Sequence, residues 1–168
     1  MTTLLDDALA HHVWATLRLL DACSELTDEQ LETTLPGTYG SILETMRHLV
    51  ASDAGYLNRL SGGRHPRVEE AGMGVVELRS VMERNRELWP ELLTANPDPS
   101  EMVTVQREDG SSFGAPKGIR LAQVIHHGTD HRSQICTALT SLGIEPPPID
   151  VWDYGEVMGL TRELAASS

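Results

Sequence analysis

His127 and His131 stand four residues apart in the stretch Ile119–Leu142, which contains no Pro and is followed by Gly143. Apolar residues recur there at Leu121, Val124, Ile125, Ile135, Leu139 and Leu142, the spacing of one helical face. At roughly 100° per residue, His127 and His131 fall together on the flank of that face, with Gln134 just beyond, while His126 and Asp130 turn to solvent. Two imidazoles at i and i+4 stand about 6 Å apart and can share one metal ion. Such a site needs a third ligand from elsewhere in the chain, and His48 is the best candidate.

Four long helices must position these groups. Leu5, Ala8, His12, Ala15, Leu19 and Ala22 recur in steps of three and four and predict a first helix ending near Cys23. His12 lies on its apolar stripe and reads as a core histidine with a hydrogen-bond partner; His11 reads as exposed. Trp14, off the densest part of the stripe, either walls a cleft or packs on a neighbouring helix. Thr27 and Gln30 form a capping box that opens a short helix through about Thr34. After the loop from Pro36 to Gly40, Ser41 and Glu44 form a second capping box. The second long helix follows, with its stripe at Ile42, Met46, Leu49, Val50, Asp53, Leu57 and Leu60, and ends at Gly62 and Gly63. His48 is off this stripe, beside Ser41, Ser52 and Gly55. Taken alone it reads as a surface histidine; the His127–His131 pair is what raises it.

A turn-rich connection containing Pro66 leads to a third helix, Val75 to Thr94, in which Pro90 marks a kink or an end. The loop from Asn96 to Ser100 precedes an alternating segment from Met102. Asp109 and Gly110 then signal a tight hairpin. The His helix is the fourth. Beyond three consecutive prolines, Asp150 can cap a short final helix carrying Val157, Leu160 and Leu164. The fold class is therefore all-α: one domain over residues 1–168, a four-helix bundle with a small β-hairpin between helices 3 and 4 and a short C-terminal helix.

Composition narrows the function. Acidic residues exceed basic ones by 12, which argues against nonspecific binding to nucleic acid or anionic membranes. The isolated Cys23 and Cys136 read as reduced core thiols. No stretch approaches the roughly 18 apolar residues of a membrane span. The acidic start of the chain lacks the pattern of a signal peptide. The expected location is the cytoplasm.

Three segments carry a resemblance: W-A-T-L-R-L-L-D-A-C in the first helix, G-S-I-L-E-T-M-R-H-L in the second and H-H-G-T-D-H-R-S-Q-I in the fourth. Together with the closing L-G-I-E-P-P-P-I-D, they resemble the DinB-like (YfiT-like) metal-dependent bundle superfamily from about Ala10 to Tyr154. Ser133 stands where the H-x-x-x-H-R-x-Q signature of that family usually has Gly. The resemblance implies His48, His127 and His131 as ligands of one divalent metal, zinc, nickel or similar, and a homodimer. Off-stripe apolar residues such as Trp14 and Leu43 are compatible with a dimer. Relatives of known activity include mycothiol- and bacillithiol-dependent transferases and isomerases.

Three neutral imidazoles leave a metal its full charge and an open position, the pattern of catalytic rather than closed structural sites. Such a metal can activate water or a thiol. A low-molecular-weight thiol as co-substrate of a transferase is the favoured reading. A metal-dependent hydrolase and a non-catalytic metal- or ligand-binding stress protein are the alternatives. A hydrolase needs a general base; Glu44 and Asp130 are the candidates, but neither is well placed and no catalytic acid or base is assigned. One further residue stands out. Arg132 falls within the apolar stripe of the fourth helix. Its stem can carry the head to water, or it needs a carboxylate inside the bundle. Asp53, on the stripe of the second helix, is the expected partner.

Overall fold

A computed structural model describes residues 3–95, 98–106 and 109–162. Asn96 and Pro97 of the expected loop, Arg107 and Glu108 of the hairpin segment, and Leu164 lie outside the described residues. The elements are α1 (Leu4–Cys23), α2 (Asp28–Leu31), α3 (Ile42–Leu60), α4 (Val75–Thr94), β1 (Met102–Gln106), β2 (Ser112–Pro116), α5 (Lys117–Ser141) and α6 (Val151–Val157). The all-α bundle with its hairpin and short final helix is as the sequence predicts.

The helix starts follow their capping chemistry. Ser41 accepts from the Glu44 backbone N–H and Glu44 returns the bond to Ser41; Thr27 with Gln30 and Asp150 with Asp153 do the same. Each box satisfies two of the donors a helix start leaves open. Gly143, at φ 73°, ends α5 as expected. Pro90 lies inside α4, which continues to Thr94. The hairpin pairs Met102 with Pro116 and Gln106 with Ser112, and β2 runs without a loop into α5, which begins two residues before the predicted Ile119.

α1 packs against α4 and α5, and α3 packs against the same two helices. Helices α1 and α3, consecutive among the long ones, thus stand diagonally in the bundle. The stripes of the four long helices fill the centre with Leu9, Leu19, Met46, Leu57, Leu78, Met82, Trp89 and Leu139, all essentially inaccessible.

Four expectations need correction. α2 stops at Leu31, short of Thr34. α6 ends at Val157, with Gly159 at φ 66° just beyond, and Val157 and Leu160 are more than half exposed. Two turns of helix cannot bury an apolar stripe of that length. α6 docks instead through Tyr154, whose ring meets Trp14 edge-on at 5.5 Å and His11 at 5.8 Å. That contact covers part of Trp14 within the chain. Trp14 does wall a cleft of about 710 Å³ between α1, α4 and α6. His11 is not exposed: it is half-buried and donates from Nε2 to the Ile149 carbonyl at 2.9 Å, and burial pushes its pKa down.

The fourth correction concerns Arg132. It is buried, as its place on the stripe requires, but it does not meet Asp53. His12 stands between them. His12 Nε2 lies 3.0 Å from Asp53 Oδ1, and Arg132 Nη1 lies 3.0 Å from His12 Nδ1. Arg132 also donates to Thr16 Oγ1 and Thr129 Oγ1. The reason is topological: His12 reaches across the diagonal from α1 and fills the space the direct pair needed.

Gly128 makes this approach possible. A methyl group there would run into the His12 ring and lie 2.9 Å from Arg132 Nη1. Gly128→Ala adds about 1 kcal/mol of helix propensity, but overpacking a rigid polar cluster costs about 1–3 kcal/mol or more. The expected net result is a lower melting temperature. A higher one, as propensity alone gives, would show that the cluster yields freely.

Candidate metal centre

α3 and α5 bring His48, His127 and His131 together, and one ligand nitrogen from each lies within 4.8 Å of the others. The Nε2 atoms of His48 and His127 are 3.0 Å apart. Ring centroids are 4.4 Å apart for His127 and His131, 4.9 Å for His48 and His131, and 5.0 Å for His48 and His127. None of His11, His12, His65 and His126 joins a cluster of this kind among the described residues.

Hydrogen bonding decides which nitrogen of His131 faces the centre. The Tyr39 backbone N–H donates to Gln134 Oε1 at 2.9 Å. The same oxygen lies 3.2 Å from His131 Nδ1. A carbonyl oxygen only accepts, so His131 carries its proton on Nδ1 and keeps the Nε2 lone pair free. A histidine held this way is oriented for metal binding before the metal arrives.

Electrostatics favours the same state. Burial, then the neighbouring His131 and His48, push the His127 pKa down to about 4. Burial and His131 lower that of His48 as well. Metal ligation requires neutral imidazoles, and the burial and crowding that lower His127 and His48 favour that state. The donor set of three nitrogen lone pairs with one fixed tautomer fits a divalent cation of borderline softness.

Two aromatic residues, not singled out from the sequence, complete the walls. Tyr39 stacks on His48 with centroids 4.1 Å apart and planes 17° apart, and meets His131 edge-on at 5.5 Å. Tyr56 meets His127 edge-on at 6.1 Å. The signal for Tyr39 was its loop, which ends directly at the cap of the helix carrying His48. The two candidate bases are accounted for differently. Glu44 is held by the Ser41 cap, and Asp130 is exposed on the outer face of α5. Cys136 is partly buried against the core and burial raises its thiol pKa; Cys23 is raised to about 12 by burial.

The sequence model of the DinB family matches residues 1–163. The chain belongs to the DinB family. It is similar to Protein DinB of Bacillus subtilis (strain 168), with 21% identity over 161 residues covering 90% of this chain and 92% of that protein. The bundle and the three-histidine cluster of this DinB-family chain are compatible with metal binding. No helix among its described residues is long and apolar enough to cross a membrane.

Proposed function

We propose that this chain is a metal-dependent enzyme whose His48–His127–His131 centre transfers a low-molecular-weight thiol to a small electrophile. The observation that carries the reading is a converged nitrogen donor set that, among the described residues, includes no protein thiol: Cys136 lies outside the cluster, and Glu44 is bound up in its helix cap. The nucleophile must then come with the substrate. A divalent metal held by the three imidazoles supplies the charge that lowers the pKa of a thiol or water brought to it. The chain's own residues hold and shape that position. Gln134 fixes the His131 tautomer, and the Tyr39 and Tyr56 rings wall the position. In the transfer, the thiol loses its proton, sulfur bonds to the electrophilic carbon, and the leaving group departs with its electron pair.

The test is a panel of small thiols offered with electrophiles to protein loaded with zinc or nickel. Expected is coupled loss of thiol and electrophile, followed by mass spectrometry, that disappears in metal-free protein and in His127→Ala. Ester or amide turnover without thiol would overturn the proposal in favour of a hydrolase. Tight metal binding with no turnover of any pair would leave a binding protein.

A further inference from the structure

A second concave site lies at the other end of the α3–α5 pair, three turns beyond His48, or roughly 16 Å along the helix. It has a volume of about 640 Å³ and is walled by the C-terminus of α3, the loop after it and strand β1. Arg59, Arg64, Arg67 and Lys117 line it, against a single carboxylate among the described residues, Glu101. The chain as a whole carries a net charge of −12. A local surplus of cations in so acidic a protein needs a reason.

The backbone builds this surplus. Gly62 and Gly63 follow one another with φ of 67° and 86°, a reversal that side-chain-bearing residues resist. It folds Arg64 and Arg67 back over the end of α3, beside Arg59. Arg67 Nε donates to Asn58 Oδ1 at 3.2 Å, which holds it there. The one carboxylate is already used: Glu101 pairs with Lys117 at 2.7 Å. Arg59, Arg64 and Arg67 have no acidic partner within ion-pair distance among the described residues. Burial, then the nearby Arg67 and Arg120, lower the Arg59 pKa, as cations crowded without a counter-charge require.

Structural reasons cover only part of this. Arg59 sits in the last turn of α3, where a cation complements the helix dipole. Lys117 has its salt bridge. Arg64 and Arg67 lie beyond the helix and are exposed, so the fold asks nothing of their charge. The remote carboxylates do not cancel them either, because salt screens charges over about 8 Å at physiological ionic strength. Arginine forks bind carboxylate and phosphate oxygens in pairs.

We infer that this groove binds a small multivalent oxyanion, a phosphate ester or a di- or tricarboxylate, through Arg59, Arg64 and Arg67. The site is separate from the histidine centre and does not depend on the function proposed for that centre.

Metal-free protein is the right material, since such anions chelate metals. It is titrated calorimetrically with pyrophosphate and, separately, with citrate, at low salt and at 0.15 M. Expected is saturable one-to-one binding of at least one probe, weakening as salt rises. Binding should weaken tenfold or more in the Arg64→Gln/Arg67→Gln double variant and stay unchanged in His127→Ala. Tighter pyrophosphate binding identifies a phosphoryl ligand, and tighter citrate binding a carboxylate. Both arginines are exposed, so the double variant should melt like the parent. The inference is overturned by absence of saturable binding with either probe, by affinity that survives the double variant, or by affinity lost in His127→Ala, which would place the anion at the histidines.

Discussion

Asp53→Asn is expected to destabilise the protein by about 3–5 kcal/mol, with metal bound or absent. The reason is a chain of hydrogen bonds that can run in only one direction. Arg132 can only donate, so His12 Nδ1, 3.0 Å away, must accept. His12 therefore carries its proton on Nε2 and must donate it, and Asp53 Oδ1 receives it. Asp53 Oδ2 accepts from Asn85 Nδ2 at 2.7 Å and from Trp89 Nε1 at 3.2 Å. Position 53 therefore needs acceptors on both sides, which a carboxylate has and an amide lacks. If the Asn oxygen faces Asn85 and Trp89, its NH2 meets the His12 N–H. If His12 changes tautomer to relieve that, Nδ1–H meets the guanidinium.

The substitution also removes the anion that balances Arg132. Burial lowers the Arg132 pKa to about 10, against the raising influence of Cys136 and then Asp53, so the guanidinium is still charged at neutral pH. Left without a counter-charge at 3% exposure, it bears a desolvation cost that water does not offset. Against a total stability of about 5–15 kcal/mol, the loss is large. Denaturant unfolding followed by circular dichroism measures it directly. A midpoint that does not move would mean the cluster relaxes around an amide, and the directional argument would fail.

That chain also shows what periodicity conveys and what it leaves out. The stripe placed His12, Asp53 and Arg132 in the interior, because burial follows from helical phase alone. It did not say who partners whom. Partnership depends on α1 and α3 being diagonal, which is set by the connections rather than by any helix's own pattern. The histidine cluster was more legible, because two of its three members lie on one helix and an i, i+4 spacing is itself a distance. His48 was raised only by that pair and by the family resemblance, since nothing local separates it from a surface histidine. Tyr39 lies in a loop, where there is no period to read, and its role rests on a backbone N–H that no side-chain pattern reports. Leu160 was read onto the final helix, which ends at Val157 with Gly159 at positive φ just beyond.

His127→Ala is expected to weaken binding of a zinc-like ion by on the order of 10²–10³-fold. Closed zinc sites bind with about 10–16 kcal/mol in total, so one ligand's share is about 3–4 kcal/mol, and each 1.4 kcal/mol is tenfold. His126→Ala, one residue away on the exposed face, should leave affinity unchanged. Gln134→Ala falls between them at about 10–100-fold, because the His131 nitrogen stays but loses the partner that orients it.

The metal-free protein should show a second signature. The His127 pKa lies near 4 when folded, below the ordinary value of about 6.5, so the unfolded chain binds that proton first. Folding stability is then complete above about pH 6.5 and falls as the pH drops toward 4. His48, shifted in the same direction by burial and by His131, adds to the slope. His127→Ala removes its own part, so the metal-free variant should lose less stability between pH 6.5 and 4.5 than the metal-free parent. Metal should compete with protons over the same range, because it binds only the neutral rings. Calorimetric affinity at several pH values, with parallel unfolding curves, checks both statements. Equal metal affinity in His127→Ala and His126→Ala would remove His127 from the centre, and identical acid slopes in parent and variant would mean the crowded imidazoles are not what disfavours the proton.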